Sequence, residues 1–277
     1  ADIATRLLLA SDDALAADAV ALAQQLDAEN TKRRAEEQEI VAAAKKAVEH
    51  DPDVGAHTVL VVAGEGWHRG VIGIVASKLV DAFHRPAIVM SIEDGIAHGS
   101  CRSIPHFDLL AALEECAPFF IRFGGHKQAA GLTMDATRIR ELRSALNDRA
   151  DVLLGPEELM PRLRIDSDLG FRGITSQVAA AVASLAPFGA GNPRPVFATR
   201  GVEVVDGPRK LKERHLKMSL RQDGRVFRAV AWRAAEKHEQ LTEHKRSVDV
   251  AFSLDQNQFN GETYVELTVA DIRPSQS

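Results

Sequence analysis

The residues best placed to do chemistry in this 277-residue sequence lie in Phe123-Gly124-Gly125-His126-Lys127-Gln128-Ala129-Ala130-Gly131. Three glycines and two alanines surround one histidine and one lysine. A backbone without Cβ atoms lets a ligand approach its amides closely. His126 and Lys127 can then give charge or hydrogen bonds to an anion held there. The same nine residues also read as a tight turn before a helix packed through small residues, with a satisfied histidine. A second polar set is Gly99-Ser100-Cys101-Arg102-Ser103. Arg102 offers a planar fork of donors suited to phosphate, and Ser100 and Ser103 add hydroxyls. A surface salt bridge is the alternative for Arg102. Glu65, Trp67, His68 and Arg69 form a third set, with Trp67 read as a core aromatic and His68 as either a helix cap or a ligand contact.

The elements that must position these groups follow from periodicity. Residues 12–49 read as one long helix, capped by Ser11, Asp12 or Asp13, with Leu15, Leu22, Leu26, Ile40, Ala44 and Ala47 at helical spacing. Its middle, Glu29 to Glu39, is charged over much of its circumference, as in a helix that bridges domains. Residues 56–149 then alternate strand and helix. Strands are predicted at Thr58–Val62, Ala87–Met90 and Ile96–Arg102, with Glu93-Asp94-Gly95 as a hairpin turn. Helices are predicted at Gly70–Phe83, from an Asp108 cap to Cys116, and from a Thr137 cap to Arg149. This is a compact α/β unit, whose ligand site belongs in its strand-to-helix crevices.

Gly155-Pro156 and Met160-Pro161 mark 150–161 as a linker. Beyond it Leu163–Asp166 alternates as a strand does, Val178–Leu185 reads as a short helix, and five strands follow. They are Val196–Val205, His215–Arg221, Val226–Trp232, Val248–Leu254 and Thr263–Ile272, with turns at Asp223-Gly224 and Asn260-Gly261. Short antiparallel strands in this number suggest a small closed barrel of the oligonucleotide-binding kind, or an SH3-like one. The division expected is a connector helix (1–55), an α/β domain (56–155) and a mostly β small barrel (156–277).

Charge distribution bears on the partner. The chain carries a net charge of −5, which argues against a generic nucleic-acid binder, yet residues 193–233 hold 11 basic and 4 acidic side chains. Arg209, Lys210, Lys212, Arg214 and Lys217 lie in one predicted loop of the barrel, where single-stranded nucleic acid would bind. A solvated basic face without a partner is the bland alternative. Alternation makes most of Phe227, Trp232, Phe259 and Tyr264 core residues and leaves Phe259 as the better stacking candidate.

No run approaches the roughly 20 apolar residues of a membrane span, and the start lacks the pattern of a signal peptide. Cys101 and Cys116 are the only cysteines and form no metal-ligand pair, which fits a reducing cytoplasm without zinc or disulfides. The first residue is not methionine, so the sequence reads as a fragment.

The run Gly64-Glu65-Gly66-Trp67-His68-Arg69-Gly70-Val71-Ile72-Gly73-Ile74-Val75-Ala76-Ser77-Lys78-Leu79 resembles a hallmark of RecJ-type single-strand-specific exonucleases. So do Gly99–Pro105 and Phe107-Asp108-Leu109-Leu110. Gly124-Gly125-His126 with Ala129-Ala130-Gly131 is similar to the signature of the DHH-associated domain. Leu185–Phe197 and His215-Leu216-Lys217 resemble parts of the RecJ oligonucleotide-binding domain. The resemblance runs through nearly the whole chain in order.

That resemblance implies a 5′–3′ single-stranded-DNA exonuclease of recombination and repair. Two manganese or magnesium ions would be held by an N-terminal Asp-His-His domain, and no such motif occurs here. The chain is therefore expected to be the C-terminal, substrate-binding portion, with no catalytic or metal residue of its own and no activity alone. Its partners would be single-stranded DNA, that catalytic domain and possible repair proteins, with no membrane. Ser100, Arg102, Ser103, Gly124, Gly125 and His126 would hold the terminal phosphate, and residues 209–217 the trailing strand. Cys101 stands where a small residue such as glycine is expected, which bears on the tightness of that pocket. The alternatives are a small-nucleotide phosphodiesterase of the same superfamily and a protein-docking scaffold.

Overall fold

The computed structural model describes residues 2–9, 16–259 and 261–275, without the side chains of 16, 17, 258, 259 and 262. The expected caps Ser11, Asp12 and Asp13, with Leu15, Asn260 and the Phe259 side chain, lie outside the described residues. The chain divides into two compact units, Ala1–Pro161 and Arg162–Ser277.

In the first unit, helix α1 (Asp2–Leu8) lies against the long α2 (Ala16–His50). At 1.5 Å per residue α2 is about 52 Å long. Its C-terminal half joins the core beneath the sheet through Ile40, Ala44 and Val48. A one-turn α3 (Pro52–Gly55), capped by Asp51, leads to strand β1 (Leu60–Glu65). Then come α4 (Ile72–Phe83), the hairpin β2 (Ala87–Glu93) and β3 (Ile96–Arg102), α5 (Leu109–Glu115), the hairpin β4 (Phe120–His126) and β5 (Ala129–Asp135), and α6 (Ile139–Leu153). The sheet order is β1-β2-β3-β5-β4, parallel only between β1 and β2.

Three sequence expectations change here. The glycine-rich motif is neither a turn before a helix nor a loop; it is a β-hairpin, β4 to β5, whose turn is Lys127-Gln128. Asp135, not Thr137, supplies the cap, accepting from the Thr137 amide and hydroxyl ahead of α6. And α6 runs to Leu153, into the stretch read as linker.

The two faces of this sheet are covered differently. One face packs against α5 and α6 through Ile88, Met90, Ala97, Cys101, Leu132, Leu113 and Leu142. On the other, α4 and the end of α2 cover Leu60, Val62, Ala87 and Val89 of β1 and β2. Among the described residues no helix continues over β5 and β4 on that side. The first α4 turn approaches β3 so closely that a Cβ on Gly73 would stand 3.1 Å from Ser100 Oγ and 3.3 Å from Arg102 Nη2.

An ion-pair cluster fixes α2 to α4. Glu37, largely buried, accepts from Lys78 Nζ on α4 and from Arg33 Nη1 (3.1 Å) on its own helix. The hydrogen bond from Lys78 holds its carboxyl below the usual carboxylate range. A depressed folded-state pKa stabilises the fold above the ordinary carboxylate value and is lost as pH falls through the lowered one. Glu37→Gln should therefore lower stability by about 1 kcal/mol at neutral pH, a modest figure because Lys78 is 41% exposed. Thermal melts from pH 7 to 3 should show the wild-type advantage shrinking with acid; a constant offset would contradict this.

The second unit opens with irregular chain where Leu163–Asp166 was predicted as a strand; only the short β6 (Ser167–Asp168) pairs, with the next strand. Helix α7 (Ser176–Ala183), capped by Thr175, precedes β7 (Phe197–Leu211), β8 (His215–Gln222), β9 (Arg225–Ala231), α8 (His238–Glu243), β10 (Val248–Phe259) and β11 (Glu262–Pro274). The strand order β10-β11-β9-β8-β7 closes through β10–β7 pairing. Five strands thus form a closed barrel with α8 between the third and fourth, as oligonucleotide-binding barrels are built. Its interior holds Val202, Met218, Leu220, Phe227, Ala229, Phe252, Leu254 and Leu267, with Phe171 against Phe227 and Phe252. Helix α8 has no apolar run long enough to be read from the sequence.

Candidate nucleic-acid interface

Strand register assembles the first site. Residues i and i+2 of a strand share a face, and the pairing aligns β3, β5 and β4 in three rows. One row is Arg102, Ala129 and His126. The next is Ser100, Gly131 and Gly124. The third is His98, Thr133 and Arg122. All nine lie on the face left without a helix; the second and third rows floor a groove of about 580 Å³ walled by Arg69, Gly70 and Ile72, and the Arg102 row lies beside it. Successive rows are about 6.7 Å apart along the strands.

The middle row is open because it is glycine. A Cβ on Gly124 would meet nothing within 4 Å, and one on Gly131 only Gly99 O at 3.7 Å. Neither glycine is needed for packing, so the missing side chains leave the floor free. Gly125 differs. Its φ is +153°, and a Cβ there would stand 2.5 Å from Ala129 O and from Ala130 Cα. It faces the core side and shapes the hairpin. Gly125→Ala should cost about 2 kcal/mol or more of stability, whereas Gly124→Val should leave the melting temperature nearly unchanged and close the groove to a ligand. Melting curves with strand binding for both variants check this.

Arg102 is held but not neutralised. Its Nη1 donates to Cys101 O (2.8 Å) and to Ser100 Oγ (3.4 Å), and it has no ion pair among the described residues. At most two of its five donors are used. The first turn of α4 lies beside it. The Val71 cap supplies no side-chain acceptor, so the positive end of the helix faces the groove. Electrostatically the site is a cationic trough with a bare backbone floor.

The sequence-predicted phosphate residues divide. Ser100, Arg102, Gly124 and His126 line the trough face. Ser103 does not: its Oγ donates to Phe107 O (2.8 Å) and its amide to Gln128 O (3.0 Å). Gly125 lies on the opposite face, as does Cys101, which is fully buried and has its thiol pushed up to about 12 by burial. Cys101 thus sets core packing, not pocket width. Lys127 occupies the hairpin turn, where its carbonyl accepts from Leu109 N. His98, Arg122 and Thr133 were missed. Their signal was period-2 spacing with the motif residues, legible only once 120–135 is read as two strands.

The barrel carries a second face of similar chemistry. Outward residues of β8 and β9 alternate with core ones: His215, Lys217, Ser219 and Arg221, then Val226, Arg228 and, just past the strand, Trp232, while Val230 between the last two is buried. Arg209 pairs with Lys217 in register, and both line a groove of about 370 Å³ with Asp206, Ser219 and Arg228. Arg209 is bonded to Asp206 (2.6 Å). Lys210, Lys212 and Arg214 are exposed around the tip of the β7–β8 hairpin. The Arg228 guanidinium lies 5.4 Å from the Tyr264 ring centre.

The expected aromatic assignment is partly overturned. Phe227 is core, as alternation implied, but Trp232 is 57% exposed. Its ring meets His215 edge-on at 4.8 Å, and His215 Nδ1 accepts from Arg233 N (2.9 Å). Alternation placed Trp232 outward, opposite in parity to Phe227, Ala229 and Ala231.

No group of three or more His, Cys, Asp or Glu among the described residues could hold a metal ion, so they do not fit a divalent-metal centre. Nor is any described helix long and apolar enough to cross a membrane.

Comparison with known proteins agrees with both units. Residues 56–151 match the DHHA1 domain and residues 165–271 the RecJ OB domain. The single-stranded-DNA-specific exonuclease RecJ of Bacillus subtilis is 36% identical over all of this chain, which covers 35% of that protein. RecJ of Escherichia coli is 29% identical over 93% of the chain, covering 46% of its own length. The chain therefore spans between about a third and a half of these relatives. The crystal structure of Thermus thermophilus RecJ in complex with Mg2+ superposes on all of this chain and 41% of its own, with a TM-score of 0.78 and 29% identity. With matching domains in matching order, the chain belongs to the RecJ family, as the part of it that carries the DHHA1 and RecJ OB domains.

Proposed function

We propose that this chain is the substrate-binding part of a 5′–3′ single-stranded-DNA exonuclease of repair and recombination, and that it binds strands without cutting them. The observation that carries this is the uncovered β3-β5-β4 face, where an arginine without a carboxylate partner adjoins a floor of two glycines that packing does not require. Such a face suits a phosphate brought against bare backbone. Arg102 with Ser100 and His126 holds the terminal phosphate; the Arg102 fork binds two of its oxygens at once. The barrel face grips the strand through Arg209, Lys210, Lys212, Arg214 and Lys217, with bases on Trp232.

Hydrolysis in this reading belongs to a metal-bearing catalytic domain using manganese or magnesium, and cytoplasmic repair partners could join it. No step of that chemistry is assigned to residues of this chain. A second barrel-sized binding unit favours a long strand over a dinucleotide as the natural ligand.

Salt dependence tests the reading. Log K should fall linearly with log salt, by about 0.7 for each phosphate neutralised on a single strand. Replacing Lys210, Lys212 and Lys217 with alanine should lower that slope by about 2 and weaken binding. Added manganese should produce no mononucleotides. Binding indifferent to salt would refute the phosphate-contact reading.

A further inference from the structure

The trough has two charged ends, and only one is explained by a terminal phosphate. At the Arg102 end the Arg102 guanidinium carries the charge, with His126 in the same row. Across the glycine row lies a second cationic end, Arg122 on β4 with His98 on β3 and Thr133 between them on β5. Arg122 makes no hydrogen bond or ion pair among the described residues. His98 Nδ1 lies 3.4 Å from Thr133 Oγ1, which leaves its Nε2 available. Two acids stand in the next row along the sheet: Glu93, 4.0 Å from Arg69, and Asp135, which accepts from the Thr137 amide and hydroxyl. The groove lies over this end and the glycine row: His98, Arg122, Thr133 and Arg69 line it with Ser100, Gly124 and Gly131, and the Arg102 row adjoins it.

The spacing sets what this end can hold. His98 and Arg102 are four residues apart on β3, hence about 13 Å. One phosphate cannot touch both ends. A stacked strand advances about 3.4 Å per nucleotide. Phosphates at the two ends are thus at most about four nucleotides apart, and fewer if the strand is stretched. Between them the backbone would cross Gly124 and Gly131, where side chains are absent.

We propose that Arg122, with His98 and Thr133, forms a second phosphate subsite that binds an internal phosphate of the strand whose end sits at Arg102. The inference rests on the end-phosphate reading above and deepens it: the trough measures a short length of strand rather than capping a single nucleotide. Arg122 supplies the charge, and with Thr133 Oγ1 donating to His98 Nδ1, the His98 Nε2–H is a neutral donor beside it.

The test is a length series. 5′-Phosphorylated oligothymidylates of one to five nucleotides are titrated against the full chain and its Arg122→Ala and Arg102→Ala variants. The ratio of wild-type to variant affinity at each length cancels whatever the barrel contributes. For Arg122→Ala the ratio should be near one for the mononucleotide and rise to about tenfold or more at one step between two and five nucleotides. For Arg102→Ala it should be high at every length. Arg122→Lys should retain part of the step. A ratio for Arg122→Ala that is flat with length overturns the second subsite while leaving the first intact. A ratio near one for Arg102→Ala at every length overturns the end-phosphate reading itself.

Discussion

Replacing Arg102 with alanine is expected to weaken binding of a short 5′-phosphorylated strand by roughly 10- to 150-fold while leaving the fold intact. The magnitude is that of hydrogen bonds to a charged group, about 1.5–3 kcal/mol. The fold should survive because the guanidinium bonds only its own strand, at Cys101 O and Ser100 Oγ, and ties no second element. Arg102→Lys should recover little, since a point charge cannot form the two-pronged contact. Anisotropy titrations paired with thermal melts separate the two effects. Equal affinities for wild type and Arg102→Ala, at equal stability, would remove Arg102 from the binding site.

The second large effect is expected at Trp232. Base stacking on an aromatic ring contributes about 1–3 kcal/mol per base, so Trp232→Ala should weaken binding of a strand long enough to reach the barrel by roughly 5- to 150-fold. Trp232→Phe should keep most of the affinity. Because the ring is 57% exposed, its removal leaves no cavity and should barely shift the melting temperature. The chain has two tryptophans, Trp67 and Trp232. Strand binding should quench the emission of wild type and of Trp67→Phe, and not that of Trp232→Phe. Quenching that persists in Trp232→Phe would place the bases elsewhere.

Much of this architecture was legible in the sequence. The buried strands β1 and β2 are apolar runs, and β3 follows an Asp-Gly turn; the barrel strands announce themselves by alternation. What failed has physical causes. Strands β4 and β5 contain Gly124, Gly125 and Gly131, and glycine carries no strand preference, so pairing with β3 had to supply what local propensity withheld. With those strands unread, Arg122, His98 and Thr133 had no reason to be grouped with Arg102. Ser103 and Gly125 looked like ligand residues from their company in the motifs, but parity turns Gly125 to the core, and Phe107 O takes the Ser103 hydroxyl. Trp232 was hidden by composition: a tryptophan among apolar residues reads as core until its parity is counted from Phe227. The long helix α2 read as polar throughout its middle, yet Glu37 in that stretch is the buried carboxylate that binds Lys78 of α4.

The two faces rest on different kinds of sequence evidence. The barrel face follows from a basic cluster that any charge count would find. The trough follows from small residues whose value lies in what they lack. The space around each glycine separates Gly124 and Gly131, which packing does not need, from Gly125, which it does.

The central claim is that the β3-β5-β4 face holds the phosphate at the end of a strand. The most direct measurement compares wild-type affinity for two trinucleotides of the same sequence, one with a 5′-phosphate and one with a 5′-hydroxyl, under one salt condition. The phosphorylated strand should bind about tenfold more tightly or better, with the difference abolished by Arg102→Ala. Equal binding of the two by the wild-type chain would contradict the account.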